Sequence, residues 1–137
     1  MNHTYGFEKL AVWQEVHNFV KSICIMKKSF SKEEKYGLID QLRRAAVSVS
    51  SNFAEGSSRT SSKDQSHFYQ LAYSSLMEVL NQFILCFDLG DIVREDLLTM
   101  RASIGKISFQ INQMRKSALS KPSQPSQSSE PSQQPQA

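Results

Sequence analysis

An all-α fold, an antiparallel up-down four-helix bundle, is what this sequence predicts, and three observations predict it. Apolar residues recur at intervals of three and four over four separate stretches, the pattern of a helix that turns one face inward. All four prolines, at 122, 125, 131 and 135, lie in the terminal segment, and an interior proline would cost a helix about 3 kcal/mol. Gly6, Gly37, Gly56 and Gly90 fall where periodic stretches begin or stop, and only Gly105 lies inside one. The bundle is expected over residues 1–118. Residues 119–137, SKPSQPSQSSEPSQQPQA with its preceding Leu, hold few groups to bury and are expected to be a disordered Ser/Gln/Pro-rich tail.

The first helix is expected from Phe7 to Lys28, with Leu10, Trp13, Val16/His17, Val20 and Ile23/Cys24 on one face and Val12, Phe19 and Met26 widening it. Lys27 and Lys28 suit its C-terminal end, where the helix dipole is negative. Ser31-Lys32-Glu33-Glu34 is a capping-box pattern with Phe30 before it as a staple. The second helix, Tyr36–Gly56, is the hub: Leu38, Leu42, Ala45, Val49 and Phe53 form its stripe, and small Ala45, Ala46, Ser50 and Ala54 let neighbouring backbones approach. A Ser-rich loop after Gly56 ends in an N-cap at Ser61 or Ser62, with Asp64 in the first turn.

The third helix runs to Leu89 and carries two apolar stripes, one through Phe68, Ala72, Ser75, Val79 and Cys86, the other through Tyr69, Tyr73, Leu76, Leu80, Ile84 and Phe87. Such a helix must be covered on two sides, and a second subunit is the simplest second cover in so small a bundle. The fourth, Glu95–Ala118, has an unbroken seam of Leu97, Met100, Ile104, Ile107, Ile111, Met114 and Ala118. The short LGDIVRED connection sets helices three and four antiparallel.

The run QLRRAAVSVSSNFAEG, with FEKLAVW and FSKEEKYGL upstream and HFYQLAYSSLMEVLNQ downstream, resembles the core motif of the four-helix-bundle proteins encoded in intervening sequences of bacterial 23S ribosomal RNA genes. The likeness covers roughly residues 7–117 and leaves out the tail. That family has no well-established biochemical activity. The resemblance implies the bundle fold and assembly into a ring-shaped homopentamer. It also implies a link to nucleic acid, through the ribosomal RNA genes and through similarity to accessory bundle proteins of diversity-generating retroelements.

Charge and motifs bound the function further. Lys and Arg number 16 against 13 Asp and Glu, a net +3, which permits a nucleic-acid partner without requiring one. No apolar run approaches the roughly 18 residues of a membrane-crossing helix, and the N-terminus lacks a signal-peptide core, so a soluble cytoplasmic protein is expected. Cys24 and Cys86 fall in apolar stripes and are expected to be buried free thiols. Asp64-x-x-His67 matches half of a carboxylate-bundle metal motif, but no second copy exists, so neither metal nor cofactor is expected. There is no nucleophile elbow and no phosphate-cradling glycine loop, so no enzymatic activity is expected.

The polar residues sort into two sets. Gln41, Arg44, Asn52, Glu55, Glu78 and Gln82 are expected to form a structural network between helices or subunits, in which Arg44 pairs with Glu55 or Glu78. Arg43, Arg59, Lys63, Arg101, Lys106, Arg115 and Lys116 are the candidate phosphate contacts, and Lys27, Lys28, Lys32 and Lys35 cluster at the first connection. The expected function is a non-enzymatic oligomeric scaffold that binds structured RNA through basic patches repeated around the assembly. The alternative is a protein-interaction module, such as an accessory protein of a retroelement-type complex, without direct nucleic-acid binding.

Overall fold

The computed structural model describes residues 3–26 and 37–120. Those residues form four α-helices and no strand: α1 (Ala11–Met26), α2 (Leu38–Ser57), α3 (Ser62–Asp88) and α4 (Arg94–Ser120). The expectations placed on Lys27, Lys28, Phe30, the Ser31–Glu34 capping box, Lys32, Lys35 and the tail beyond Ser120 lie outside the described residues.

The first helix opens later than its apolar pattern suggests. A 3-10 turn, Gly6–Lys9, precedes it, and Leu10 is extended at φ −77°, ψ 129°. The Tyr5 N–H is drawn to the Glu8 carboxylate at 2.7 Å, which tightens the turn. From Ala11 onward Val12, Val16, Phe19 and Ile23 are buried. That stripe turns Cys24 about 100° away from Ile23, so Cys24 is exposed where burial was expected, while Cys86 is buried. Trp13 covers the flank, edge-on to Phe7 at 5.2 Å and stacked on His17 at 4.8 Å.

The hub helix starts at Leu38 behind Gly37, whose φ of 64° is the left-handed conformation that glycine adopts without strain. The helix ends one residue past Gly56, at Ser57. Gly56 is buried inside the helix, and a Cβ there would lie 2.9 Å from Tyr69 Cε1 and 3.0 Å from Phe68 Cβ. The glycine therefore sets how closely α2 and α3 approach. Leu42, Ala46, Val49 and Phe53 are fully buried along the same helix.

Ser61 caps α3, its Oγ accepting the Asp64 N–H at 3.0 Å. The helix ends in a Schellman arrangement: the Asp91 N–H donates to the Cys86 carbonyl at 2.8 Å and the Gly90 N–H to Phe87 at 3.0 Å, with Gly90 at φ 82°. α3 packs extensively on α2 and on α4 of its own chain, which buries Ala72, Val79 and Cys86 of one stripe, while Tyr73, Leu80, Ile84 and Phe87 of the other stay partly exposed. Tyr69, Leu76, Val79, Phe83 and Cys86 are buried, with Tyr73, Leu80, Ile84 and Phe87 packed at the margin.

Neighbours run antiparallel. Ser48 meets Ser75 while Gly56 meets Tyr69, so residue numbers rise along α2 as they fall along α3. Arg115 reaches Gln70 across α4 and α3, and Glu15 reaches Lys106 across α1 and α4. One end of the bundle thus gathers the start of α1, the end of α2, the start of α3 and the end of α4. The seam Leu97, Met100, Ile104, Ile107, Ile111 and Ala118 is buried, with Met114 at its edge.

Candidate nucleic-acid interface

The polar residues of the hub divide by the face they occupy. Leu42, Ala45, Ala46, Val49 and Phe53 fill the inner face, which turns Gln41, Arg44, Ser51 and Glu55 to the solvent side. Arg44 pairs with neither of its expected partners: it makes no ion pair among the described residues. Glu55 shares its face but stands eleven residues on, about 16 Å along the axis, and pairs instead with Arg59 one turn away. Glu78 is exposed on α3. The polar link that does join two helices is smaller, with the Ser48 and Ser75 hydroxyls 2.9 Å apart. Asn52 Nδ2 donates to the Ser48 carbonyl at 2.9 Å and to Ser48 Oγ at 3.0 Å. Gln82 is buried and donates to the Glu78 carboxylate at 3.2 Å, within one helix. Of the six residues expected in one network, Asn52 thus belongs to the α2–α3 link, Glu78 and Gln82 pair locally, and Gln41, Arg44 and Glu55 stand outside. Ser75 was the missed member. Its signal was a small polar residue inside an otherwise apolar stripe.

The candidate phosphate contacts separate along the bundle axis. Arg59, Lys63, Arg115 and Lys116 lie toward the end where α2 finishes and α3 begins, and Lys9, which sequence reasoning passed over, lies toward it too. Opposing them there are Glu8, Glu55 and Asp64, so this half is net positive among the described residues. Among the described residues the other half holds Lys21, Arg43, Arg44, Arg94 and Arg101 against Asp40, Glu78, Asp88, Asp91, Glu95 and Asp96, a net charge of −1. Lys9 carried no signal of its own in sequence; its 3-10 turn packs on α1 and α2, and the antiparallel return of the chain puts it in the same half as the end of α2.

Several of these cations are engaged already. Arg43 pairs with Asp40 at 3.2 Å, and Lys106 with Glu15 at 2.6 Å. Arg59 pairs with Glu55 while its guanidinium lies 4.6 Å from the Phe68 ring centroid. Arg115 Nη1 donates to Gln70 Oε1 at 2.7 Å, which positions the side chain without neutralising it. Lys63, Arg101 and Lys116 are exposed and make no ion pair among the described residues. The local pairs are surface contacts of modest strength, each about 0–1 kcal/mol, so a phosphate can compete for these groups.

No group of three or more His, Cys, Asp or Glu side chains able to hold a metal ion occurs among the described residues. Asp64 and His67 are exposed at the start of α3. Open clefts mark the surface of the described residues, and two of them adjoin candidate phosphate contacts. One, of about 340 Å³, lies between α1 and α4 against Asn18, Phe19, Ser103 and Ile107, with the Glu15–Lys106 pair at its rim. The other, about 430 Å³, is lined by Cys24, Arg43, Arg44 and Val47. Neither assembles a nucleophile with a base.

Fold and surface together define a small antiparallel four-helix bundle whose described residues are net basic toward one end. The chain belongs to the 23S rRNA-intervening sequence protein family, whose model matches residues 8–113. Among solved structures it is similar to a protein of unknown function from the S23 ribosomal protein family of Bacteroides thetaiotaomicron VPI-5482, determined at 1.70 Å, with a TM-score of 0.72 and 18% identity. The match covers 77% of this chain and 99% of that one. At that identity the likeness speaks for the fold alone. No curated protein matches the chain.

Proposed function

We propose that this chain is a non-enzymatic scaffold of the cytoplasm that binds structured RNA through the basic end of its bundle, several copies presenting that end together. The observation that carries this reading is that, among the described residues, Lys9, Arg59, Lys63, Arg115 and Lys116 outnumber Glu8, Glu55 and Asp64 toward one end of the bundle. Membership of a family described by 23S rRNA intervening sequences points the same way. The expected assembly, on the resemblance, is a ring-shaped homopentamer. Repetition matters because counterion release grows with the number of phosphates neutralised, so a modest charge per chain becomes a strong field when copies align.

Fluorescence anisotropy of nuclease-treated protein against a structured RNA and a duplex DNA, across a salt series, tests this. Binding should weaken steeply with salt, and the double change Lys63→Ala and Lys116→Ala should lower both affinity and salt slope. Arg43→Ala, at the opposite end, is the comparison; an equal loss there would spread contact over the whole bundle. Absence of binding at low salt would move the reading to the protein-interaction module.

A further inference from the structure

On the outer face of α4 one aromatic side chain stands in the open: Phe109, 65% exposed. Its surroundings on that face are not those of an apolar docking patch. One turn before it is Gly105, where an added Cβ would meet nothing within 4 Å. Lys106 precedes it by three residues, Asn112 and Gln113 follow at three and four, and exposed Lys116 follows at seven, on the same side of the helix. Leu98, the nearest strongly exposed aliphatic residue on this face, is eleven residues away, about 16 Å.

Direction makes the glycine meaningful. A helical side chain leans toward the N-terminus and covers the turn before its own Cα. Phe109 therefore leans over the turn of Gly105 and Lys106, and with no side chain at Gly105, and only Ala102 a turn further on, one flank of the ring is left open. The result is an accessible π-face with amide and ammonium groups around it and no stacking partner among the described residues.

We propose that Phe109 is a stacking platform for an unpaired nucleobase, with Asn112 and Gln113 placed to meet the base edge and Lys116 a flanking phosphate. This rests on the RNA-binding reading above and narrows it: the ligand is RNA with a single-stranded loop or end, since a base held in a duplex offers no free face. Base–aromatic stacking tolerates sequence because every base has a π-face, so the platform selects for unpaired nucleotides rather than for one base. Lys116 ties it to the basic end, two turns along the same helix.

The test uses the full chain with two labelled RNAs, an oligouridylate and a blunt duplex of equal length, in the salt series. Phe109→Ala should weaken oligouridylate binding about tenfold, within the range stacking on one base provides, and leave the salt slope and the duplex affinity unchanged. Phe109→Trp should restore the loss. Because the ring is exposed, both variants keep the helical circular dichroism. If wild-type protein binds RNA but Phe109→Ala binds the oligouridylate equally well, the platform is overturned and the broader reading survives. If wild-type protein binds neither RNA, both fall. A change in oligomer mass on Phe109→Ala, with RNA affinity unaltered, would make this face a contact between copies and overturn the platform as well.

Discussion

Gly56 and Arg44 sit on the same helix and differ in what a single substitution does. A methyl group at 56 would stand 2.9 Å from Tyr69 Cε1 and 3.0 Å from the Cβ of Phe68, and the latter belongs to the next helix's rigid base rather than to a flexible tip. Gly56→Ala should therefore destabilise the protein by about 1–3 kcal/mol despite alanine's better helix propensity. Arg44→Ala, by contrast, removes an exposed side chain without an ion pair among the described residues and should stay within about 0.5 kcal/mol of wild type. Parallel thermal melts check both. A large loss at Arg44 would restore the inter-helix role that its spacing suggested. Spacing misled there because 44 and 55 share a face, yet sharing a face says nothing about axial reach.

At the scale of elements, the apolar stripes placed all four helices, and Ser61 placed a cap, because those signals are local. The breaks were less legible. Gly56 stands in the last turn of α2 and is there for close packing, whereas Gly90 is a conformational terminator, its left-handed φ of 82° completing the Schellman hydrogen bonds that end α3. Gly90→Ala should cost about 1 kcal/mol, as expected for an L-residue forced into that region, and a denaturant midpoint lowered at constant m-value would show it. No sequence pattern separates the two glycines; only the partner helix does. The same holds for the two-striped α3, where only the partner helices decide which apolar residues are buried and which stay partly exposed.

For the whole molecule, cohesion is uneven. Packing is most extensive between α2 and α3 and between α3 and α4, and thinnest between α1 and α4. Across that thin side lie the open cleft and the Glu15–Lys106 pair, with side chains 33% and 64% exposed. Native-state hydrogen exchange should show α1 amides opening at lower free energy than those of α2, α3 and α4. Uniform protection through all four helices would mean α1 unfolds only with the rest. The basic half is likewise a property of the whole: residues 9, 59, 63, 115 and 116 are scattered in sequence and fall in one half of the bundle only because the chain doubles back three times.

The thinly held helix also carries the single tryptophan of the chain. Trp13, packed between Phe7 and His17, changes its surroundings whenever α1 leaves the bundle. Its emission therefore acts as a built-in lamp for that one event, while ellipticity follows all the helices at once. In a denaturation series the two optical signals part company if α1 departs first and coincide if the molecule melts as one unit. The chain thus reports its own weakest joint, with no label attached.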